Sequence, residues 1–336
     1  MRQFLKINTV HHGFSEDLLK EIQPQTVACS IWSPPYNLNK EYEKDQTFEE
    51  WKTMINLVIE AHFPILKKGG FMVINIADIL CFPDEEMPKI QLSNPSKHKV
   101  PLSKDEILRV KNEHPNLNRN QIADHFGCSE QTIDRRLNGN NIRGGKYITQ
   151  TRVELVGNYL QKFAHDAGLF LYDRRIWKKD PSWFNSKWTS NSYRAVDEFE
   201  YLYIFWKPGE TTINKDKLSS REWADWGSRA VWEFPSVRSN NDHEAKFPLE
   251  LPLRCVRLFS EKGDLVIDPF MGSGTTAIAC LELGRDFLGI EKEYKYVELA
   301  NGKINKIFSE FSVFILHLYF YKQKRILKEL DKSWKI

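Results

Sequence analysis

Apolar positions in this chain fall into short unbroken runs separated by stretches of helical spacing. Residues 27–32 (Val-Ala-Cys-Ser-Ile-Trp) and 71–76 (Phe-Met-Val-Ile-Asn-Ile) are almost continuous, as strands are when a parallel sheet is covered on both faces. Between them Trp51, Ile55, Val58, Ile59 and His62-Phe63 recur at intervals that predict a helix over 48–66. Lys67-Lys68-Gly69-Gly70 predicts its end, basic residues followed by glycine. The alternation resumes with a helix over 152–166, strands over 169–177 and 200–206, and mostly loop from 208 to 241. It closes with a helix over 247–261, a strand over 265–267, a helix over 275–283 and a strand over 287–290. The pattern predicts an α/β fold.

Residues 81–149 interrupt it. Pro83, Pro88, Pro95 and Pro101 mark a polar linker, and a charged helical segment follows, so an inserted helical subdomain is expected. Within it, 119–138 resembles a helix-turn-helix. Ala123 is small where two helices would cross, Gly127 sits at the turn, Ser129 is placed to cap the second helix, and Ile133 and Leu137 point inward. Gln131, Thr132, Arg135 and Arg136 are then left for a DNA groove. The competing reading is a helical hairpin that only packs on the rest of the protein. Two further loops are candidates for target recognition. One is 178–199, where Lys187 and Arg194 are interleaved with Trp183, Phe184, Trp188 and Tyr193; the other is 209–241, with Arg221, Arg229 and Arg238. No role is assigned to 306–336.

The 336 residues, 41% of them hydrophobic, suffice for one large domain or two modest ones. A net charge of +3 does not by itself announce a nucleic-acid partner. The five cysteines are odd in number and form no CxxC pair, which argues against a disulfide framework or a metal site and for a reducing, cytoplasmic setting. The N-terminus carries no signal-type apolar segment. The longest apolar run, 311–321, is far short of the ~20 residues a membrane span needs and contains His317.

Two segments carry chemistry. Asp268-Pro269-Phe270-Met271-Gly272-Ser273-Gly274-Thr275-Thr276 lies between a strand and a helix. Gly272 and Gly274 there permit a tight turn and close approach to a ligand, and helix N-terminal amides would face it. Glu291 ends the next strand, 17 residues after Gly274, a spacing at which a carboxylate commonly takes ribose hydroxyls. A third spaced glycine and a lysine after the glycines are both lacking, so neither a dinucleotide nor a P-loop phosphate fits. The second segment, Ser33-Pro34-Pro35-Tyr36-Asn37, follows the first strand. Proline stiffens the turn and leaves carbonyls to accept. The Ser33 oxygen and the Pro34 carbonyl can together hold both protons of an amino group and turn its lone pair toward an electrophile, and Tyr36 offers a face to a base.

Together these segments resemble the S-adenosylmethionine-dependent DNA amino-methyltransferases, in the permuted class where the Ser-Pro-Pro-Tyr segment precedes the cofactor segment. The resemblance covers roughly 7–80 and 150–305, and takes in 67–76, 176–179, 203–208 and 243–248. It implies a Rossmann-like class I fold, circularly permuted, with a seven-stranded, mostly parallel sheet containing one antiparallel strand. It implies a catalytic domain over 1–80 and 150–305, S-adenosyl-L-methionine as cofactor and double-stranded DNA as partner. Asp268, Phe270, Gly272, Gly274, Thr275 and Glu291, with Phe247 and Pro248 at the methionine end, would seat the cofactor. Ser33, Pro34, Pro35 and Tyr36 would hold a flipped-out base. Serine at the head of that tetrapeptide resembles the cytosine-N4 group, with adenine N6 the alternative. The chain contains no Pro-Cys pair to supply the thiolate that C5 methylation needs. A restriction-modification role follows, alongside an endonuclease encoded elsewhere, as monomer or homodimer. The family often has Gly-Asp where this chain has Gly13-Phe14, so the adenine partner is Ser15, Glu16, Asp17, or stacking alone. The rival classes are a non-catalytic DNA-binding regulator on the same fold and an RNA or small-molecule methyltransferase.

Overall fold

The computed structural model describes residues 4–35, 47–77, 79–83, 90–91, 102–137, 147–148, 151–181, 195–196, 198–237 and 247–310. Two compact units emerge, Met1–Leu80 with Glu154–Ile336, and Cys81–Val153.

The larger unit is built on one sheet, in the order Thr9–His12, Asp286–Glu291, Leu265–Asp268, Val27–Trp32, Leu66–Ile76, Phe199–Trp206, Phe170–Lys178, Val231–Glu233. Only Phe199–Trp206 runs antiparallel to its neighbours; all other pairs are parallel. The sheet therefore carries eight strands, one more than the resemblance implies. The extra one, Val231–Glu233, falls in a stretch expected to be mostly loop. It alternates exposed, buried, exposed around Trp232, too short for a period to register in the sequence. Trp232 anchors it, its indole donating to the Trp226 carbonyl at 2.9 Å.

Val27–Trp32 is buried at every position, as its unbroken apolar run requires. Helix Phe48–Ile65 starts in a capping box between Thr47 and Glu50. It stops at Ile65, and Lys67–Gly70 belong to the strand Leu66–Ile76 rather than to a helical C-terminus. The reasons are local. Pro64 withdraws one amide from the last turn. The Lys207 ammonium then satisfies the orphan carbonyls of Phe63 and Leu66, at 2.5 and 2.8 Å, and burial lowers its pKa. Gly69 adopts φ +80°, and a Cβ there would lie 2.3 Å from the Glu210 carbonyl oxygen, so the glycine answers a backbone contact. Likewise the helix expected over 152–166 begins at Val156, because Thr151–Leu155 is a strand. One face of the sheet packs on helix Glu250–Phe259 through Leu251, Cys255 and Val256.

The smaller unit holds helices Lys104–Glu113, Arg119–His125 and Glu130–Leu137. Leu102, Ile107, Ile122, Ala123 and Ile133 form its own small core, with Leu137 packed against it. Gly127 takes φ +61° at the turn before the last helix, and the Ser129 hydroxyl lies 3.0 Å from that of Thr132.

Candidate active site

The sheet reverses its winding between two neighbouring strands. From Leu265–Asp268 the chain passes through helix Thr275–Glu282 to Asp286–Glu291 on one side. From Val27–Trp32 it passes through helix Phe48–Ile65 to Leu66–Ile76 on the other. Ligands of open α/β sheets bind outside the carboxyl ends of strands at such a switch point. Parallel pairing of Ile267 with Ser30 brings both strand ends to one edge. Phe270 of the glycine loop and Trp32, immediately before Ser33, meet there with ring centroids 5.4 Å apart. The two segments, far apart in sequence, therefore meet at one edge of the sheet.

The glycine loop is braced from beneath. Asp268 is buried; its Oδ1 accepts from the Phe270 amide at 2.9 Å and its Oδ2 from the Thr276 hydroxyl at 2.6 Å. Burial pushes its carboxyl up to about 7, against the opposing pull of these two bonds. Gly272 and Gly274 adopt φ +53° and +92°, and a Cβ on Gly274 would come within 3.1 Å of the Ala300 Cβ. Thr275, half-buried, opens the following helix. Glu291 closes the far side: its Oε2 accepts from the Gly272 amide at 2.8 Å and its Oε1 from the Glu293 amide at 2.9 Å. Burial raises its pKa as well. Each carboxylate oxygen has a second lone pair for a hydroxyl donor. Phe247 and Pro248 are half-buried, and Phe247 packs against the core just before helix Glu250–Phe259.

At the Ser-Pro-Pro turn, Ser33 and Pro35 are half-buried and Pro34 is buried. The expectation that both proline carbonyls remain open needs correction: the Pro35 carbonyl accepts from the Trp51 indole at 2.6 Å. Among the described residues none donates to the Pro34 carbonyl. Trp32 stacks on His62, with centroids 5.9 Å apart and planes 20° apart. His62 Nδ1 lies 2.6 Å from the Val58 carbonyl and Nε2 lies 2.8 Å from the Ser30 hydroxyl. A carbonyl can only accept, so Nδ1 carries the proton and Ser30 donates to Nε2. Burial holds this histidine down to about 4, hence neutral.

Ser15 resolves part of the departure at Gly13-Phe14. It is buried, and its hydroxyl donates to the Pro269 carbonyl, while Gly13 donates to the Glu291 carbonyl at 3.0 Å. Asp17 pairs with Lys20. Phe14, 60% exposed, remains beside the loop. Of the other predicted residues, Tyr36, Lys187 and Arg194 lie outside the described residues, as does the Gln131 side chain. Arg135 and Arg136 are exposed and Thr132 half-buried on helix Glu130–Leu137 of the smaller unit. Sequence reasoning missed Trp32, Trp51 and His62, and it offered Ser15 to the adenine rather than to the Pro269 carbonyl. The helical spacing gave Trp51 a buried side, but no local pattern announces that its indole reaches back sixteen residues.

A DNA methylase family model matches residues 27–302. The chain is 57% identical over 305 residues to the type II methyltransferase M.BglI of Bacillus subtilis, spanning 91% of this chain and 88% of that protein. It is 33% identical over 143 residues to the type II methyltransferase M.XycI of Xanthomonas campestris pv. cyanopsidis, covering 41% and 46% of the two chains. The fold is similar to that of a Thermus thermophilus protein described as a putative DNA modification methylase and solved with S-adenosyl-L-methionine: TM-score 0.55, 22% identity, 89% and 93% of the chains covered. It is also similar to the cytosine-N4-specific PvuII DNA methyltransferase, with TM-score 0.56, 17% identity, and 91% and 93% covered. On the match of sequence over most of its length and of architecture throughout, the chain belongs to the N6/N4 DNA methylase family and is a DNA methyltransferase.

Proposed function

We propose that the chain methylates N4 of cytosine in double-stranded DNA as the modification enzyme of a type II restriction-modification system, using S-adenosyl-L-methionine. The observation that supports this reading is the Trp32–Phe270 contact, which brings the residue before the Ser-Pro-Pro turn against the glycine loop. Serine at position 33 favours cytosine, and the likeness to M.BglI favours the type II setting.

The crevice suits the cofactor on its own chemistry. A carboxylate at the strand end with lone pairs to spare suits ribose hydroxyls, and two glycines at positive φ leave the loop backbone open to close approach. When bound, the cofactor supplies an electrophilic methyl group. Glu291 would hold the ribose, and the 272–275 backbone would line the methionine end with Phe247 and Pro248. With the Ser15 hydroxyl engaged by the Pro269 carbonyl, the exposed Phe14 would offer its ring to the adenine, with the Glu16 and Asp17 carboxylates as the alternatives. Asp268 acts from below, holding the loop in shape. The Ser33 oxygen and Pro34 carbonyl would accept the two amino protons of an extruded cytosine, so that the nitrogen lone pair points at the methyl. Tyr36 would stack on the ring. Most of the acceleration then comes from position and orientation. No covalent bond to the protein forms.

The test incubates the full chain with methyl-labelled cofactor and unmodified DNA and digests the product to nucleosides. N4-methylcytosine is expected; N6-methyladenine would reassign the base, and no transfer would refute the enzymatic reading. Ser33→Ala should lower turnover on the order of 10²-fold, the scale of losing one transition-state hydrogen bond, with cofactor affinity unchanged.

A further inference from the structure

The same face of the sheet that carries Trp32 continues across two more strands. Trp32 pairs with Ile74, and Ile74 with Tyr203. Directly paired residues share a face, so Tyr203, Tyr201 and Phe199 lie on the Trp32 side. Tyr201 pairs with Ile76, two residues beyond the Ile74 that pairs with Trp32, and so lies toward the strand end that Ser33 and Pro34 follow, two strand spacings or about 10 Å across. A row of aromatic rings thus climbs toward the edge where the crevice opens. Tyr203 is buried, Tyr201 half-buried and Phe199 43% exposed. The centroid of Tyr201 is 5.8 Å from that of Tyr203 and 5.5 Å from that of Phe199. Arg174, exposed, lays its guanidinium over the Tyr201 ring at 4.6 Å. The neighbouring carboxylates are already committed: Asp173 pairs with Arg175 at 3.2 Å and Glu200 with Lys179. Among the described residues no carboxylate pairs with Arg174.

A single exposed aromatic needs no explanation. An exposed ring two residues beyond Tyr201 on the same face, beside an arginine held flat by a second ring, has the makeup of a single-strand nucleic-acid contact. Extruding a base leaves its neighbour partly unstacked. We infer that Phe199 and Arg174 hold the nucleotide flanking the extruded base, Phe199 stacking its ring and Arg174 taking its phosphate, with Tyr201 keeping the guanidinium in place. This rests on reading the Ser-Pro-Pro turn as the base-holding site.

The test is binding of a fluorescent 20-nucleotide single strand of mixed sequence to the full chain, titrated with salt. Phe199→Ala should weaken binding about 5- to 150-fold, the range for losing one base stack, and Phe199→Tyr should restore it to within about twofold. Arg174→Ala should reduce the slope of log affinity against log salt by about 0.7, one phosphate contact fewer on a single strand. Cofactor affinity, measured by calorimetry, should not move in any variant. If neither affinity nor slope changes, or if the wild type does not bind the strand, the inference is overturned. If binding changes as stated but the wild type transfers no methyl group to DNA, the Phe199–Arg174 contact stands and the proposed reaction fails.

Discussion

Asp268 gives the sharpest quantitative expectation. Its carboxyl is buried beneath the glycine loop, and burial raises its pKa to about 7 from the ordinary 3.8. A raised folded-state value means that folding favours the protonated acid. The resulting stability is fully present below the unfolded value and is lost as pH rises through about 7. Between pH 5 and pH 9 the unfolded chain holds almost no proton at this group, whereas the folded protein gives one up. The two pH decades below the folded value each contribute about 1.4 kcal/mol, so the loss over the interval is about 3 kcal/mol. For a chain of this length that corresponds to a fall in Tm of about 4 °C. Asp268→Asn removes the titration and keeps the contacts: the amide oxygen accepts from Phe270 N, and the amide nitrogen donates to the Thr276 hydroxyl, reversing that bond. Thermal unfolding at pH 5, 7 and 9 should show the wild type losing about 3 kcal/mol more than Asp268→Asn across the range. Glu291 shifts in the same direction, but it is present in both proteins and drops out of the difference. Parallel pH dependences would refute the claim that Asp268 is buried as an acid.

Other outcomes follow from particular contacts. Trp51→Phe removes the donor to the Pro35 carbonyl and should cut turnover about five- to tenfold while leaving cofactor affinity alone, as one net hydrogen bond of about 1 kcal/mol implies; equal kinetics would show that the Ser-Pro-Pro turn holds its shape without it. Gly274→Ala forces a Cβ into a left-handed conformation at φ +92° and against Ala300, so it should cost ~1–2 kcal/mol in urea unfolding and weaken cofactor binding measured by calorimetry. Replacing Arg135 and Arg136 together by alanine should lower duplex DNA affinity and reduce its salt slope by up to about 2, one phosphate contact per arginine, without altering cofactor binding; an unchanged slope would leave the three-helix unit without a role in DNA contact.

The period of apolar residues was enough to predict the α/β alternation, and the reason is burial. A strand such as Val27–Trp32, covered on both faces, is apolar but for Ser30, whose hydroxyl is satisfied by His62. The glycine loop was legible because positive φ at residues 272 and 274 admits few side chains. Ile122, Ala123 and Ile133, close together in sequence, form a core of their own within a short span. Element ends were less so. The end of helix Phe48–Ile65 depends on Lys207, more than 140 residues away, satisfying its last carbonyls. Val231–Glu233 became a strand because Trp232 found a buried place at the sheet edge.

Residue types and local spacing alone determined which segments could grip an amino group or approach a nucleoside, since those capacities lie in backbone freedom, carbonyl availability and side-chain chemistry. The strand order alone decided that the two segments meet at one edge of the sheet, because parallel pairing of Leu265–Asp268 with Val27–Trp32 aligns strand ends that lie over 230 residues apart. The supporting contacts were decided there too: Trp51 on Pro35, His62 behind Trp32, and Ser15 on Pro269 each join side chain to chain across a distance that no local pattern encodes.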